Sequence, residues 1–153
     1  LRYANAPPLV YGELGFAQVM MKDFIAAQKA FEMAYQKTGK LDYLLQRGLA
    51  LLANKSWVAS GQIFNRLVQI APKMGAAHVG LLKAALGSGD RAAAQKAVNR
   101  YQKLRKANSE LEAVYPQVID LVNLSQGKKP AKTTPPNGQG ATQVKPPVVP
   151  MSQ

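Results

Sequence analysis

The side chains that carry most enzyme chemistry are few and far apart in this sequence. His78 is the only histidine among 153 residues, and the sequence contains no cysteine. One imidazole without any thiolate argues against the usual transition-metal sites, which combine several such ligands. His78 precedes Leu81 and Leu82 on a predicted helix. We therefore interpret it as a packed or half-exposed side chain and predict neither a metal nor a cofactor.

Acidic residues and glycine-rich stretches do not predict a catalytic site either. The eight acidic residues are spread singly, and the closest pair, Glu110 and Glu112, falls on different faces of a predicted helix. No paired-carboxylate site follows from this arrangement. The glycine-rich sequence at 87–89 lacks the lysine and the preceding strand of a phosphate-binding loop. We read it as a turn between helices, and we predict that the protein is not an enzyme.

The charge of the chain concerns partners and solubility rather than fold. The formal net charge is +12, which is compatible with nucleic acid, anionic lipid or acidic proteins, and equally with an ordinary basic protein. Lys96, Arg100 and Lys103 share one face of a predicted helix, and Arg105 and Lys106 extend the cluster. No aromatic residue is interleaved as a base-stacking platform. We interpret this cluster as a solvated face and keep nucleic-acid binding only as an alternative.

The composition divides the chain into three regions. Residues 1–8 end in a proline pair that favours an extended N-terminal segment. Residues 9–125 are rich in alanine, leucine, lysine and glutamine, all good helix formers, and predict a helical domain. Residues 126–153 hold six of the ten prolines and no acidic residue. Such a segment cannot bury enough apolar surface to become ordered, so we predict a disordered tail.

Polar and glycine-containing interruptions place the ends of seven predicted helices. Asp90 and Ser56 are predicted N-caps, and Ser109 with Glu112 has the spacing of a capping box. The predicted breaks lie at 22–23, 38–40, 54–56, 71–73, 87–90 and 108–109. Six helices of similar length joined by short turns predict helix hairpins in series.

The hairpins repeat a pattern of residue types. Gly15, Gly48 and Leu82 begin three copies of it, 33 and 34 residues apart. The same offsets from these residues lead to Phe24, Ala27, Phe31 and Ala34 in the first unit, to Trp57, Ser60, Phe64 and Leu67 in the second, and to Arg91, Ala94, Val98 and Tyr101 in the third.

This pattern resembles the tetratricopeptide repeat, which has a period of 34, a small residue in the first helix, and an alanine and an aromatic residue in the second helix, followed by a proline. Pro72 matches the closing proline in the second unit, whereas Gly39 and Lys106 replace it in the others. The resemblance covers about 100 of the 153 residues. It implies an all-α fold, a right-handed superhelical stack of three hairpins with a C-terminal capping helix at 109–124. An unrelated bundle of helix hairpins is the alternative.

Close packing within and between these units would explain the repeated residue types. We expect Gly15 and Gly48 to lie at helix crossings against Ala27 and Ser60, and the aromatic residues to fill the wedge between successive hairpins. One hairpin cannot hide its apolar face alone, so the units stack.

The resemblance also implies a binding surface, since the first helices of such arrays line a concave groove. The polar residues there are few, which disfavours a clamp for a C-terminal carboxylate and favours an apolar peptide or helix of another protein. The predicted partner-binding residues are Phe16, Val19, Met20, Leu45, Leu49, Leu52, Val79 and Lys83.

We therefore predict a non-catalytic scaffold or adaptor. Short tetratricopeptide lipoproteins that support pilus or secretin assembly are similar, which implies a bacterial envelope assembly factor in the periplasm or at the outer membrane. A signal or anchor before Leu1 would be invisible here, and such an anchor would allow peripheral membrane association. The alternatives are a regulatory repeat module of a larger protein, a cytoplasmic location, and a binder of nucleic acid or anionic surfaces through the basic face.

Overall fold

A computed structural model describes residues 5–129, and within this range all regular secondary structure is helical. The prediction of an all-α fold is confirmed, and the helices pack in adjacent pairs. The predicted tail beyond residue 129 and the first four residues lie outside the described range. The helices are α1 (Pro8–Met20), α2 (Phe24–Thr38), α3 (Leu41–Ala53), α4 (Trp57–Ile70), α5 (Gly75–Gly87), α6 (Arg91–Arg105), α7 (Ser109–Ala113) and α8 (Tyr115–Ser125).

The backbone repeats with the period that the sequence pattern predicts. The first helices of the three pairs begin at residues 8, 41 and 75, and the second helices begin at residues 24, 57 and 91. Both series advance by 33 and then by 34 residues. The repeat is therefore a property of the secondary structure as well as of residue types.

The turns that join first to second helices are alike in all three pairs. Lys22, Lys55 and Gly89 occupy corresponding positions, and their φ angles of 61°, 60° and 75° all lie in the left-handed region. In each turn the next residue donates its backbone N–H to a carbonyl five residues earlier, at 2.9, 2.9 and 3.0 Å. Glycine tolerates this conformation best, so the two lysines are held there at some cost in backbone strain.

The residue that follows each turn is the N-cap of the second helix. Asp23 and Asp90 accept hydrogen bonds from the backbone N–H groups of Ala26 and Ala93, at 3.1 and 2.9 Å, which confirms the predicted cap at Asp90. Ser56 holds the corresponding position, but its side chain makes no cap bond. Its hydroxyl instead accepts a bond from Asn54 Nδ2.

The predicted capping helix at 109–124 is wrong in its detail. The segment forms two helices, α7 and α8, and the N-cap of α7 is Asn108, whose side chain accepts from Glu110 N at 3.0 Å. The break lies at Val114, just before Pro116 in the first turn of α8. Proline lacks the N–H that a continuous helix would need there, whereas a helix start tolerates it well.

Glycines on the first helices face aromatic rings rather than the small residues that we predicted. A Cβ placed on Gly15 would lie 2.6 Å from the Phe31 ring, and one on Gly48 would lie 3.0 Å from the Phe64 ring. Ala27 and Ser60, four positions before Phe31 and Phe64 in the sequence, are fully buried, but their atoms are not the ones nearest to the two glycines. The rings approach this closely because glycine leaves the space that they occupy.

Phe64 links the second and third pairs. Besides Gly48 of α3, its ring faces Gly80 of α5, where a Cβ would lie 2.4 Å away. This confirms that an aromatic residue fills the wedge between successive hairpins. In the third pair the corresponding residues are Leu82 and Val98, which pack in one core cluster. The third pair thus has leucine on its first helix where the other pairs have glycine, and valine on its second helix where they have phenylalanine.

Candidate partner-binding cleft

His78 is buried in the core, as the sequence analysis expected of a packed histidine. Its Nε2 lies 2.8 Å from the Pro72 carbonyl, and its ring meets Tyr101 edge-to-face at 5.8 Å. Burial lowers the pKa of His78, the bond to Pro72 opposes this, and the positive charge of Arg100 lowers it further. The imidazole is therefore neutral near pH 7 and donates its Nε2–H to Pro72, which ties the α4–α5 turn to α5.

Within residues 5–129, no group of three or more histidine, cysteine, aspartate or glutamate side chains lies close enough together to hold a metal ion.

A groove of ≈ 450 Å³ runs between α3 and α5 and is lined almost entirely by apolar side chains. Leu49 and Leu52 lie three positions apart on α3, as do Lys83 and Leu86 on α5, so each pair projects from one helix face. Lys83 is the only charged group in the lining. The full lining is Leu49, Leu52, Ala53, Trp57, Lys83, Leu86 and Leu121.

A larger groove of ≈ 1010 Å³ lies between α5, α6 and α8. The two grooves are adjacent, since they share Leu86 and Leu121 in their linings, and we call them together the apolar cleft. Ala94 and Val98 of α6 supply part of its apolar wall, whereas Asp90, Arg91 and Gln95 bring polar groups to the larger groove.

The structure brings three of the predicted partner-binding residues together. Leu49, Leu52 and Lys83 line the same groove, although they come from two different repeat units. Leu49 is 38% exposed, and Lys83 is exposed as well, so both are accessible to a partner.

The other predicted residues lie elsewhere. Phe16 and Met20 are exposed on α1 and do not line the cleft. Val19 and Leu45 are half-buried and pack against core clusters. Val79 is only 6% exposed and belongs to the core cluster that joins α5, α6 and α8. Neighbouring helices cover α5 on several sides and leave little of the Val79 side chain accessible to a partner.

Two cleft residues escaped the sequence analysis. Trp57 was recognised only as a repeat position, but its indole packs against Gly87, where a Cβ would lie 2.5 Å away. The ring therefore lies beside the groove instead of wholly inside the core. Leu121 was assigned to the cap, and it faces the cleft because α8 folds back onto α5. The sequence did offer a signal for Trp57, because it is the only tryptophan of the chain and it stands at the start of a predicted helix.

The basic cluster on α6 is less uniform than its spacing predicts. Lys96 and Lys103 are exposed, whereas Arg100 Nη1 reaches Asn65 Oδ1 of α4 at 3.4 Å. Arg105 forms an ion pair with Glu112 at 3.1 Å, and its guanidinium lies 3.9 Å from the centre of the Tyr115 ring. Arg105 thus attaches α6 to the C-terminal helices and contributes less to a binding surface.

None of the helices between residues 5 and 129 combines the length and the apolar character that crossing a membrane requires.

Comparisons with known proteins add no further constraint on this cleft. No protein-family model, curated protein or solved structure matches the chain.

Proposed function

We propose that this protein is a tetratricopeptide-like adaptor whose apolar cleft binds a segment of another protein. The continuous lining contributed by α3, α5 and α8 carries the proposal, because only stacked units bring these helices together. The 33- and 34-residue periodicity of helix starts supports the repeat assignment.

The proposal includes the right-handed superhelical arrangement that the resemblance implies, with the first helices on the inner side. Helix α3 packs against α5 across the intervening α4. Within residues 5–129, consecutive second helices make no contact of similar extent. The contact of α3 with α5 supports placing these two first helices on the concave side of a curved stack.

The chemistry of the cleft specifies the kind of partner segment that fits. Leucine, alanine and tryptophan side chains favour apolar anchors, which an amphipathic helix presents at three- and four-residue spacing. Lys83 is placed to meet one acidic residue of that segment. The net charge of +12 also attracts acidic partners during encounter. The occupant is thus an amphipathic segment with apolar anchors and an acidic flank.

The biological setting is proposed from the resemblance to envelope tetratricopeptide lipoproteins. On that basis the adaptor acts in assembly of a bacterial pilus or secretion system, in the periplasm or at the outer membrane. A regulatory module of a larger protein, or a cytoplasmic adaptor, would use the same cleft.

The test compares two exposed apolar residues at different locations, Leu49 at 38% and Val58 at 71% exposure. Leu49 lines the cleft, whereas Val58 on α4 does not line it. A partner captured by affinity pull-down is purified, and its affinity is measured for the wild type, Leu49→Ser and Val58→Ser. A buried apolar anchor contributes more than about 1 kcal/mol when truncated. We expect binding to weaken by about tenfold in Leu49→Ser, with little change in Val58→Ser.

A charge-reversal variant separates the cleft from the basic face of α6. Lys96→Glu combined with Arg100→Glu is expected to slow association and to change its salt dependence while keeping most of the affinity. If this variant loses binding while a folded Leu49→Ser protein keeps it, the cleft proposal is wrong. A steep loss of affinity with added salt would then identify nucleic acid or another polyanion as the ligand.

A further inference from the structure

Helix α1 carries apolar residues on all its sides, yet only one side is covered. Tyr11, Gly12 and Gly15 are buried, and within residues 5–129 its one extensive helix neighbour is α2. Tyr43 of α3 adds a contact at Gly12. A helix that is hydrophobic all round is ordinarily buried, so α1 lacks a partner on its outer side.

Helix α5 shows what this fold does with a helix of the same character. It is equally apolar, and it packs against α3, α4, α6, α7 and α8. The difference between α1 and α5 is therefore their position in the stack, because α1 has no preceding pair to cover it in the described part of the chain.

The uncovered side of α1 is largely apolar, and we call it the α1 outer face. Met20 is 83% exposed and Met21 is 70% exposed, and the exposed Glu13 is the one charged residue of the helix. Long methionine side chains adapt to irregular partner surfaces. The Phe16 ring instead packs edge-to-face on Phe31 of α2, with 5.0 Å between the ring centroids. The face consists of Val10, Leu14, Ala17, Met20 and Met21.

Charge excludes one class of occupant for this face and favours another. No basic residue occurs between Arg2 and Lys22, whereas helices that lie on membrane surfaces carry lysine or arginine on their polar side. In a protein with a net charge of +12, this basic-free helix is also where two copies can approach with the least repulsion.

The residue order makes the face complementary to itself in an antiparallel pair. Val10, Leu14, Ala17 and Met21 recur at spacings of four, three and four, so they form one stripe. When two such helices run antiparallel, Val10 meets Met21 of the second copy and Leu14 meets Ala17 of the second copy. Large side chains are thereby matched with smaller ones at the centre, which allows close helix packing.

We propose that the α1 outer face binds the same face of a second copy across a two-fold axis. The proposal assigns Met20 to self-association, and it does not depend on the apolar cleft. Such an interface is closed and isologous, as in most homodimers. With five apolar side chains per copy, it is smaller than a standard interface of about 20–30 residues a side. We therefore expect a dimer with a dissociation constant in roughly the micromolar range.

Sedimentation equilibrium of the whole 153-residue chain tests this directly. The wild type is expected to change from monomer to dimer between about 1 and about 500 μM. Ala17→Glu places a charge at the centre of the face and is expected to raise the dissociation constant at least about tenfold. Ala92→Glu makes the same change at an exposed alanine on α6 and is expected to leave dimerisation unchanged.

Engineered cysteines provide a second measurement, since the chain has none of its own. Ala17→Cys is expected to form a disulfide-linked dimer on mild oxidation much faster than Ala92→Cys. A wild type that stays monomeric throughout, a dimer that Ala17→Glu does not weaken, or equal cross-linking of the two cysteine variants would overturn the proposal. Monomeric protein that binds anionic vesicles through α1, with loss in Ala17→Glu, would overturn it in favour of a membrane surface.

Discussion

The first helices of the three pairs differ from the second helices in both charge and packing. Helices α1, α3 and α5 carry two basic and two acidic side chains, whereas α2, α4 and α6 carry eight basic and one acidic. The first helices supply the glycines at close crossings, and the second helices supply Phe31, Phe64 and Trp57, whose rings face those glycines. The first helices thus carry no net charge, whereas the second helices carry most of the basic surface of the repeats.

The basic excess of the second helices contributes little to stability through ion pairs. Two ion pairs are formed within residues 5–129, Arg47–Glu32 and Arg105–Glu112, and both have partly exposed partners. Exposed pairs of this kind typically contribute less than about 1 kcal/mol. The remaining positive charge acts on solubility and on the approach of partners. The comparison therefore predicts that packing changes on first helices matter more than charge changes on second helices.

The largest expected effect comes from the same substitution on the two kinds of helix. Gly80→Ala on α5 places a Cβ 2.4 Å from the Phe64 ring, whereas Gly61→Ala on α4 places it 3.6 Å from Ala84, an ordinary contact. Overpacking costs about 1–3 kcal/mol, while alanine gains up to about 1 kcal/mol over glycine inside a helix. We expect Gly80→Ala to lower the free energy of unfolding and Gly61→Ala to raise it.

Urea denaturation of both variants measures these differences. Equal stabilities of the two alanine variants would contradict the predicted difference between first and second helices. Gly48→Leu offers a further check, because its larger side chain meets both Phe64 and Ile63 and is expected to destabilise by about 1–3 kcal/mol or more.

A smaller effect is expected in the turns that connect the two kinds of helix. Lys55 adopts a φ of 60° at the position where the third pair has Gly89. Replacing it with glycine relieves about 1–2 kcal/mol of left-handed strain but increases the entropy of the unfolded chain, which offsets about 0.5–1 kcal/mol. We expect Lys55→Gly to raise the melting temperature by a few degrees. Lys55→Ala removes the charge but keeps the strain, so a similar gain in that variant would refute the explanation.

The smallest effect concerns pH and the contact of α5 with α6. The pKa of His78 is lowered from its usual value of 6.5, mainly by burial. As the pH falls below that value, the unfolded chain binds a proton that the folded protein does not, so stability decreases. We expect the melting temperature of the wild type to fall between about pH 7 and about pH 5.5 more than that of His78→Gln. Parallel pH profiles for the two proteins would show that His78 is not the group responsible.

Much of the fold was predictable because each repeat unit is specified by residues that lie close together in the sequence. The offsets of 33 and 34 residues between Gly15, Gly48 and Leu82 predicted the starts of the helices, since each unit needs the same turn and the same small or aromatic residues. Asp90 was predictable as a cap from its residue type and position. The split between α7 and α8 was missed, although Pro116 was visible, because the apolar spacing on both sides of it suits one continuous helix.

The candidate site was predictable only in part. Leu49, Leu52 and Lys83 were identified because the resemblance places the first helices along the groove. Val79 was chosen for the same reason, at the position that Leu45 holds in the second unit, and only the surrounding helices make it a core residue. Trp57 and Leu121 line the cleft because α4 and α8 approach α5, and no local pattern reports that approach.

The sequence by itself determined the helical class, the period of the repeat, the chemistry available to the protein and the contrast between neutral first helices and basic second helices. These properties depend on composition and on spacing along one chain, which tertiary packing does not alter. The tertiary structure decided which apolar side chains are covered. Burial depends on the number of neighbouring helices, so α5 became the centre of the core while the equally apolar α1 kept an exposed face.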